Sequence, residues 1–173
     1  MNDRFAHQLR LDQIRDGDRL DLVAGDAERQ AVAMRLNLER LERLEAHVTL
    51  SVNGETVRAQ GRLAASLDQL CVVTGEPVAA HLDEPFEILF MRDPHAEKGD
   101  EEIELGQSEL DVVFHDGSTI DLGSAVADTL ALSLDPYPRS ASADAALREA
   151  GVMSEAEASP FAVLAKLRRT DGS

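Results

Sequence analysis

The chain has 173 residues, a single cysteine and a formal net charge of −16. That length suits one domain with a tail and calls for no disulfide or metal to fold, and one thiol excludes an internal disulfide or a multi-cysteine zinc site. The acidity argues against broad nucleic-acid binding, which needs a basic face to release counterions; a small RNA contact or docking to a basic protein stays open.

In chain order, FAHQL and RLDLVA within residues 5–24 read as two short strands around a turn at Asp16-Gly17-Asp18. Asp26 is placed to cap a helix over about 27–37, with Glu28 favourable in its first turn. Ala27, Ala31, Met34 and Leu38 fall on one face at helical spacing. Near residue 44 the period changes to two: Leu44, Ala46, Val48, Leu50 and Val52 alternate with polar residues. Asn53-Gly54 is a strong hairpin signal. A two-residue loop there sets Val52 opposite Glu55, Leu50 opposite Val57, Val48 opposite Ala59 and Glu45 opposite Arg62. The second strand continues toward Cys71, and Thr74-Gly75-Glu76-Pro77 reverses the chain. Residues 78–91 alternate again, so three long antiparallel strands form the centre.

Residues 93–109 are acidic, contain Gly and Pro, and read as a loop. A short strand over 110–114 and a turn at Asp116-Gly117 follow. Asp121 leads into a helix over about 122–134, with Ala125, Leu130 and Leu132 among its apolar positions, and the run to Pro138 stops it. A short helix is expected at 144–150 in a small, polar stretch. Pro160 then opens a basic helical segment, PFAVLAKLRR, which is +3 within this acidic chain. The fold class is therefore α+β: a central antiparallel sheet, as a meander or partial barrel, with a few flanking helices. Residues 1–138 form a single α+β domain, and 139–173 form a polar linker and a short C-terminal basic helix.

Chemistry-bearing patterns are sparse. Cys71 has no second thiol and no histidine at ligand spacing, which makes it a small, semi-buried core residue. His7, His47, His81, His95 and His115 form no metal-binding spacing. The acidic loop lacks the spaced ligands of a calcium loop. No phosphate loop, nucleophile elbow or carboxylate pair appears, so no catalytic residue, metal site or cofactor is assigned. Five Phe, one Tyr and no Trp speak against a base-stacking platform. The candidate partner-binding residues are Arg58 and Arg62 on the second strand and Phe161, Leu164, Lys166, Arg168 and Arg169 in the tail. Phe161 and Leu164 could pack back on the sheet or enter a partner's groove. No stretch has the length of a spanning helix and the N-terminus lacks a secretory apolar run, so a cytoplasmic protein without membrane contact is expected.

Three segments together resemble the bacterial YceD family, the large ribosomal RNA subunit accumulation proteins. These are LDQLCVVTGEPV at 67–78, TIDLGSAVADTLALSLDPYP at 119–138 and SPFAVLAKLRR at 159–169. Many members carry a second cysteine in the central turn, and some carry more near the helix exit. Here Thr74 and the stretch after Pro138 offer none, so a metal or redox role of those members does not carry over. The resemblance implies a non-enzymatic ribosome-assembly factor that supports synthesis, processing or accumulation of large-subunit ribosomal RNA. Its partner would be a ribosomal precursor particle or the RNA. The alternative is an acidic adaptor or chaperone for a basic ribosomal protein. An RNA-processing enzyme would need a charged pocket, and the sequence offers no such cluster.

Overall fold

A computed structural model describes residues 5–93 and 111–152. The acidic segment from 94 onward and the basic segment 160–169 lie outside the described residues. By their contacts the described residues fall into two compact units, one within Met1–Gln69 and Ala79–Pro136 and the other within Leu70–Val78 and Tyr137–Ser173.

The first unit is built on three long strands, β3 (Arg40–Asn53), β4 (Thr56–Leu70) and β5 (Pro77–Arg92). With β2 (Arg19–Val23) and β6 (Asp111–His115) they make one five-stranded sheet in the order β2-β3-β4-β5-β6. The meander is antiparallel, but β6 runs parallel to β5, a mixed edge the sequence does not announce. One face is apolar: Leu44, Ala46, Val48 and Leu50 of β3 meet Val57, Ala59, Leu63 and Ala65 of β4, and Ile88 and Phe90 of β5 join them in one core. Each fully buried Leu, Ile or Phe there contributes roughly 1.5–3 kcal/mol of transfer free energy. A register irregularity between Leu41 and Arg43 lets Leu41 and Leu44, three apart, share the buried face.

The hairpin is real but its loop sits one residue later than the sequence suggests. Asn53 pairs with Thr56, so Gly54 and Glu55 form the loop and every cross-strand partner moves by two. Val52 faces Val57, Leu50 faces Ala59 and His47 faces Arg62. Gly54 supplies the positive φ (61°) at the first loop position, where a II′-type turn wants glycine. A two-residue shift preserves both faces, which is why the apolar pattern alone could not detect it.

The N-terminal strands do not pair with each other. β1 (Gln8–Arg10) pairs antiparallel with β7 (Thr119–Asp121), and β2 pairs with β3. Helix α1 (Asp26–Arg35) begins one residue earlier than expected, with Gly25 as its cap and the Glu28 carboxylate accepting the Gly25 N–H at 2.8 Å. Asp26 is its first residue and pairs with Arg29 instead. The helix buries Val32 and leaves Met34 83% exposed, so Met34 of the expected face points away from the core, whereas Leu38, just past the helix, packs against it.

Helix α2 (Leu122–Ser133) is the main helical contribution to that core, through Leu122, Val126 and Leu130, while Leu132 is exposed. Asp121 caps it by accepting from Ser124 N at 3.0 Å, and also accepts His7 N at 3.1 Å. The approach is close: a Cβ on Gly123 would lie 2.6 Å from the Phe5 carbonyl oxygen. Glycine at 123 is what lets the N-terminal segment lie against the start of α2.

In the second unit the turn after β4 folds on the segment after Tyr137, which leads into α3 (Ala143–Glu149). Val72 N donates to the Pro138 carbonyl at 2.9 Å, and Arg139 pairs with Asp144 at 3.2 Å.

Candidate interaction surface

The sheet face opposite the core carries the charges. Strand alternation fixes this, because residues next to buried ones point the other way. One row crosses four strands. Asp21 of β2 faces His47 of β3, which faces Arg62 of β4. His47 Nδ1 lies 2.6 Å from Asp21 Oδ1, and Arg62 donates to Asp83 Oδ1 of β5 at 3.0 Å and to the Asp83 carbonyl at 3.2 Å. The bond to Asp21, then its charge, raises the His47 pKa. Along β4, Arg58 pairs with Glu87 of β5 at 2.8 Å. Arg58–Glu87 and Arg62–Asp83 run in opposite senses along the two strands, as an antiparallel pair requires.

Arg58 and Arg62 thus stand on one exposed face, each already matched by a carboxylate. The same holds widely. Of the twelve arginines in the described residues, Arg10, Arg29, Arg35, Arg40, Arg43, Arg58, Arg62, Arg92 and Arg139 form ion pairs with Asp or Glu. The two lysines of the chain, Lys98 and Lys166, lie outside those residues. Carboxylates number twenty-three against the twelve arginines, so the charge left over is negative. The sequence held this signal: positions 58 and 62 have the same spacing as 83 and 87, and all four share the parity of one face. Phe161, Leu164, Lys166, Arg168 and Arg169 lie outside the described residues.

The β5–β6 end of that face is apolar. Leu89 sits beside Val112 and Met91 beside Phe114 in the parallel register. Phe114 is 47% exposed on that face. Leu89 also borders a shallow groove of about 380 Å³ with Ser51, Thr56, Arg58 and Gln60. On the other face His115 is buried, takes the Gly117 N–H on Nδ1 at 3.0 Å and reaches the Glu55 carbonyl through Nε2 at 2.9 Å. Nε2 thereby ties β6 to the β3–β4 loop, while Nδ1 holds the turn that follows β6.

The second unit holds a polar knot that the sequence did not reveal. Cys71 is buried, and its Sγ accepts the backbone N–H groups of Thr74 at 3.4 Å and Ser140 at 3.2 Å. Thr74 Oγ1 donates to Glu76 at 3.0 Å and lies 3.1 Å from Ser140 Oγ, while Ser142 donates to the same Glu76 carboxylate. Burial pushes the thiol up, and the bonds from Ser140 and Thr74 outweigh it and bring the pKa down to about 6. Local N–H dipoles do here what a cationic neighbour would do elsewhere. Among the described residues, no group of three or more His, Cys, Asp and Glu is gathered to hold a metal ion.

A sequence model of the large ribosomal RNA subunit accumulation protein YceD matches residues 59–168, more than half of the chain. Comparison with curated proteins and with solved structures finds no match.

Proposed function

Since this chain belongs to the YceD family, named for accumulation of large-subunit ribosomal RNA, we propose that it is a non-enzymatic, cytoplasmic ribosome-assembly factor that supports the making or keeping of that RNA. The family match carries the reading. No helix of the described residues is long and apolar enough to cross a membrane, in keeping with action on a ribosomal precursor particle. The proposed docking element is the basic tail, with Phe161 and Leu164 as apolar contacts and Lys166, Arg168 and Arg169 as the charges. Arg58 and Arg62 are the proposed sheet contacts, open to a phosphate once Glu87 and Asp83 give way.

Sedimentation of the tagged chain from growing cells tests this. Co-migration with large-subunit precursors is expected, and protein found only at the top of the gradient would sink it. Deleting 160–173 should weaken co-migration while leaving the melting temperature unchanged. A fall in stability would make the tail structural.

The carboxylate-matched arginines favour a second reading, an adaptor for a basic ribosomal protein. A surface with excess negative charge and few bare cations steers toward a basic polypeptide and away from a phosphate backbone. Binding to such a protein without RNA, weakened by salt, would support it; binding to RNA alone would defeat it.

A further inference from the structure

The edge of the sheet says where such a polypeptide would lie. β6 has no strand on its far side among the described residues. An unpaired edge offers backbone N–H and C=O groups to an incoming strand. Folded proteins usually guard such an edge with lysine, proline or inward charge. Here the strand reads Asp111-Val112-Val113-Phe114-His115, with Val112 and the exposed Phe114 on the outer face beside Leu89 and Met91. The patch is bracketed by charge. Asp111 starts the strand and Asp116 follows it, and neither has an arginine partner among the described residues. They are five positions apart, about 16 Å along an extended chain. Asp116 accepts from Ser118 Oγ at 2.6 Å and from the Ser118 and Thr119 N–H groups. These bonds hold its pKa down at about 2, so it stays ionised.

We propose that the β6 edge and the Leu89–Met91–Val112–Phe114 patch receive an extended segment of a basic protein, with apolar side chains on the patch and flanking Lys or Arg against Asp111 and Asp116. This rests on the basic-partner reading above. RNA fits the edge poorly: Arg92, which faces His115 of β6, is engaged by Glu55, Arg58 is engaged by Glu87, and carboxylates at both ends repel phosphates. A second copy would bring −16 against −16.

The test uses the full chain and a synthetic peptide of about twelve residues that alternates Val with Thr and carries Lys and Arg at both ends. Fluorescence anisotropy reads affinity, and hydrogen exchange reads amide protection at residues 111–115. The peptide is expected to bind, to slow exchange in β6 and to weaken with salt. Phe114→Ser removes the aromatic anchor and should weaken binding about tenfold or more. Asp111→Asn, at an exposed position with no ion pair among the described residues, should weaken it less and flatten the salt dependence. Failure of the peptide to bind overturns the proposal. So does binding that neither variant changes; in that case the basic-partner reading survives and only its place on the fold is lost. If RNA-free large-subunit proteins also fail to bind, that reading falls as well. Protection of β6 by poly(U), or a solution dimer dissolved by Phe114→Ser, would assign the edge to nucleic acid or to self-association instead.

Discussion

Gly61→Ala is the sharpest perturbation of the sheet. Gly61 lies in β4 opposite Val48, between the Arg58 and Arg62 rows. A Cβ there would sit 1.9 Å from the His47 carbonyl oxygen, 3.0 Å from its carbon and 3.1 Å from Val48 Cα. All three atoms are backbone, so no side chain can swing aside. Relief requires β3 to move away by more than an ångström, against a register held at thirteen positions. Overpacking of this kind costs about 1–3 kcal/mol, and each ladder hydrogen bond lost adds about 1 kcal/mol. The helpful loss of glycine flexibility in the unfolded chain returns about 0.5–1 kcal/mol. The net cost is about 3 kcal/mol, or a fall in melting temperature of about 6–12 °C for a domain of this size. Thermal unfolding followed by circular dichroism measures it. Gly54→Ala is the control: its Cβ meets nothing within 4 Å and only the positive φ of 61° is strained, so about 1 kcal/mol is expected. If Gly61→Ala melts within 2 °C of the parent, the close approach of β3 and β4 is wrong.

Three other outcomes are expected. Replacing Asp83 by Asn and Glu87 by Gln frees two guanidiniums. Affinity for single-stranded RNA should rise, and its log–log salt slope should steepen by about 1.4, on the order of 0.7 per phosphate contact; unchanged slopes would mean that these carboxylates mask nothing. The Cys71 thiol, held at about 6 in the fold, sits below its ordinary value of about 8.5. Its contribution to stability is thus fully present above the ordinary value and is lost as pH falls through about 6. Melts from acid to alkaline pH should show this gain, and Cys71→Ala should abolish it; a slope that survives the substitution assigns it to another group. Phe90→Ala empties a fully buried site in β5 and should cost about 3–5 kcal/mol by urea unfolding, and a loss under about 1 kcal/mol would show that the core collapses around it.

Legibility followed period. The long strands were readable because Leu44 to Val52 and their partners alternate without interruption, and Asp121 announces α2 through a side-chain cap that its neighbours support. The hairpin loop was misread by one residue because Asn53-Gly54 fits a I′ turn locally, whereas Gly54-Glu55 satisfies the II′ requirement with the same glycine. Tertiary contacts decide between them, and a two-residue shift leaves the hydrophobic pattern intact. The face of α1 was misassigned because alanine gives little contrast, so Val32 rather than Met34 reaches the core. Pairing of β1 with β7 joins residues more than a hundred apart, which no local pattern encodes. The arginine positions were legible, but their neutralisation was not, since it needs the β4–β5 register. Cys71 looked inert because its donors are backbone groups, and one of them comes from Ser140, 69 residues away.

The reliance on arginine has a practical side. With Lys98 and Lys166 outside the described residues, the whole sheet presents no primary amine. Amine-directed cross-linkers, acetylation and ubiquitin transfer are therefore blind to it. A contact map built on amine chemistry would report the acidic segment, the tail and the α-amino terminus, and would credit them with every encounter. Carboxylate-directed or photoactivated reagents are the ones that would see a partner resting on the strands.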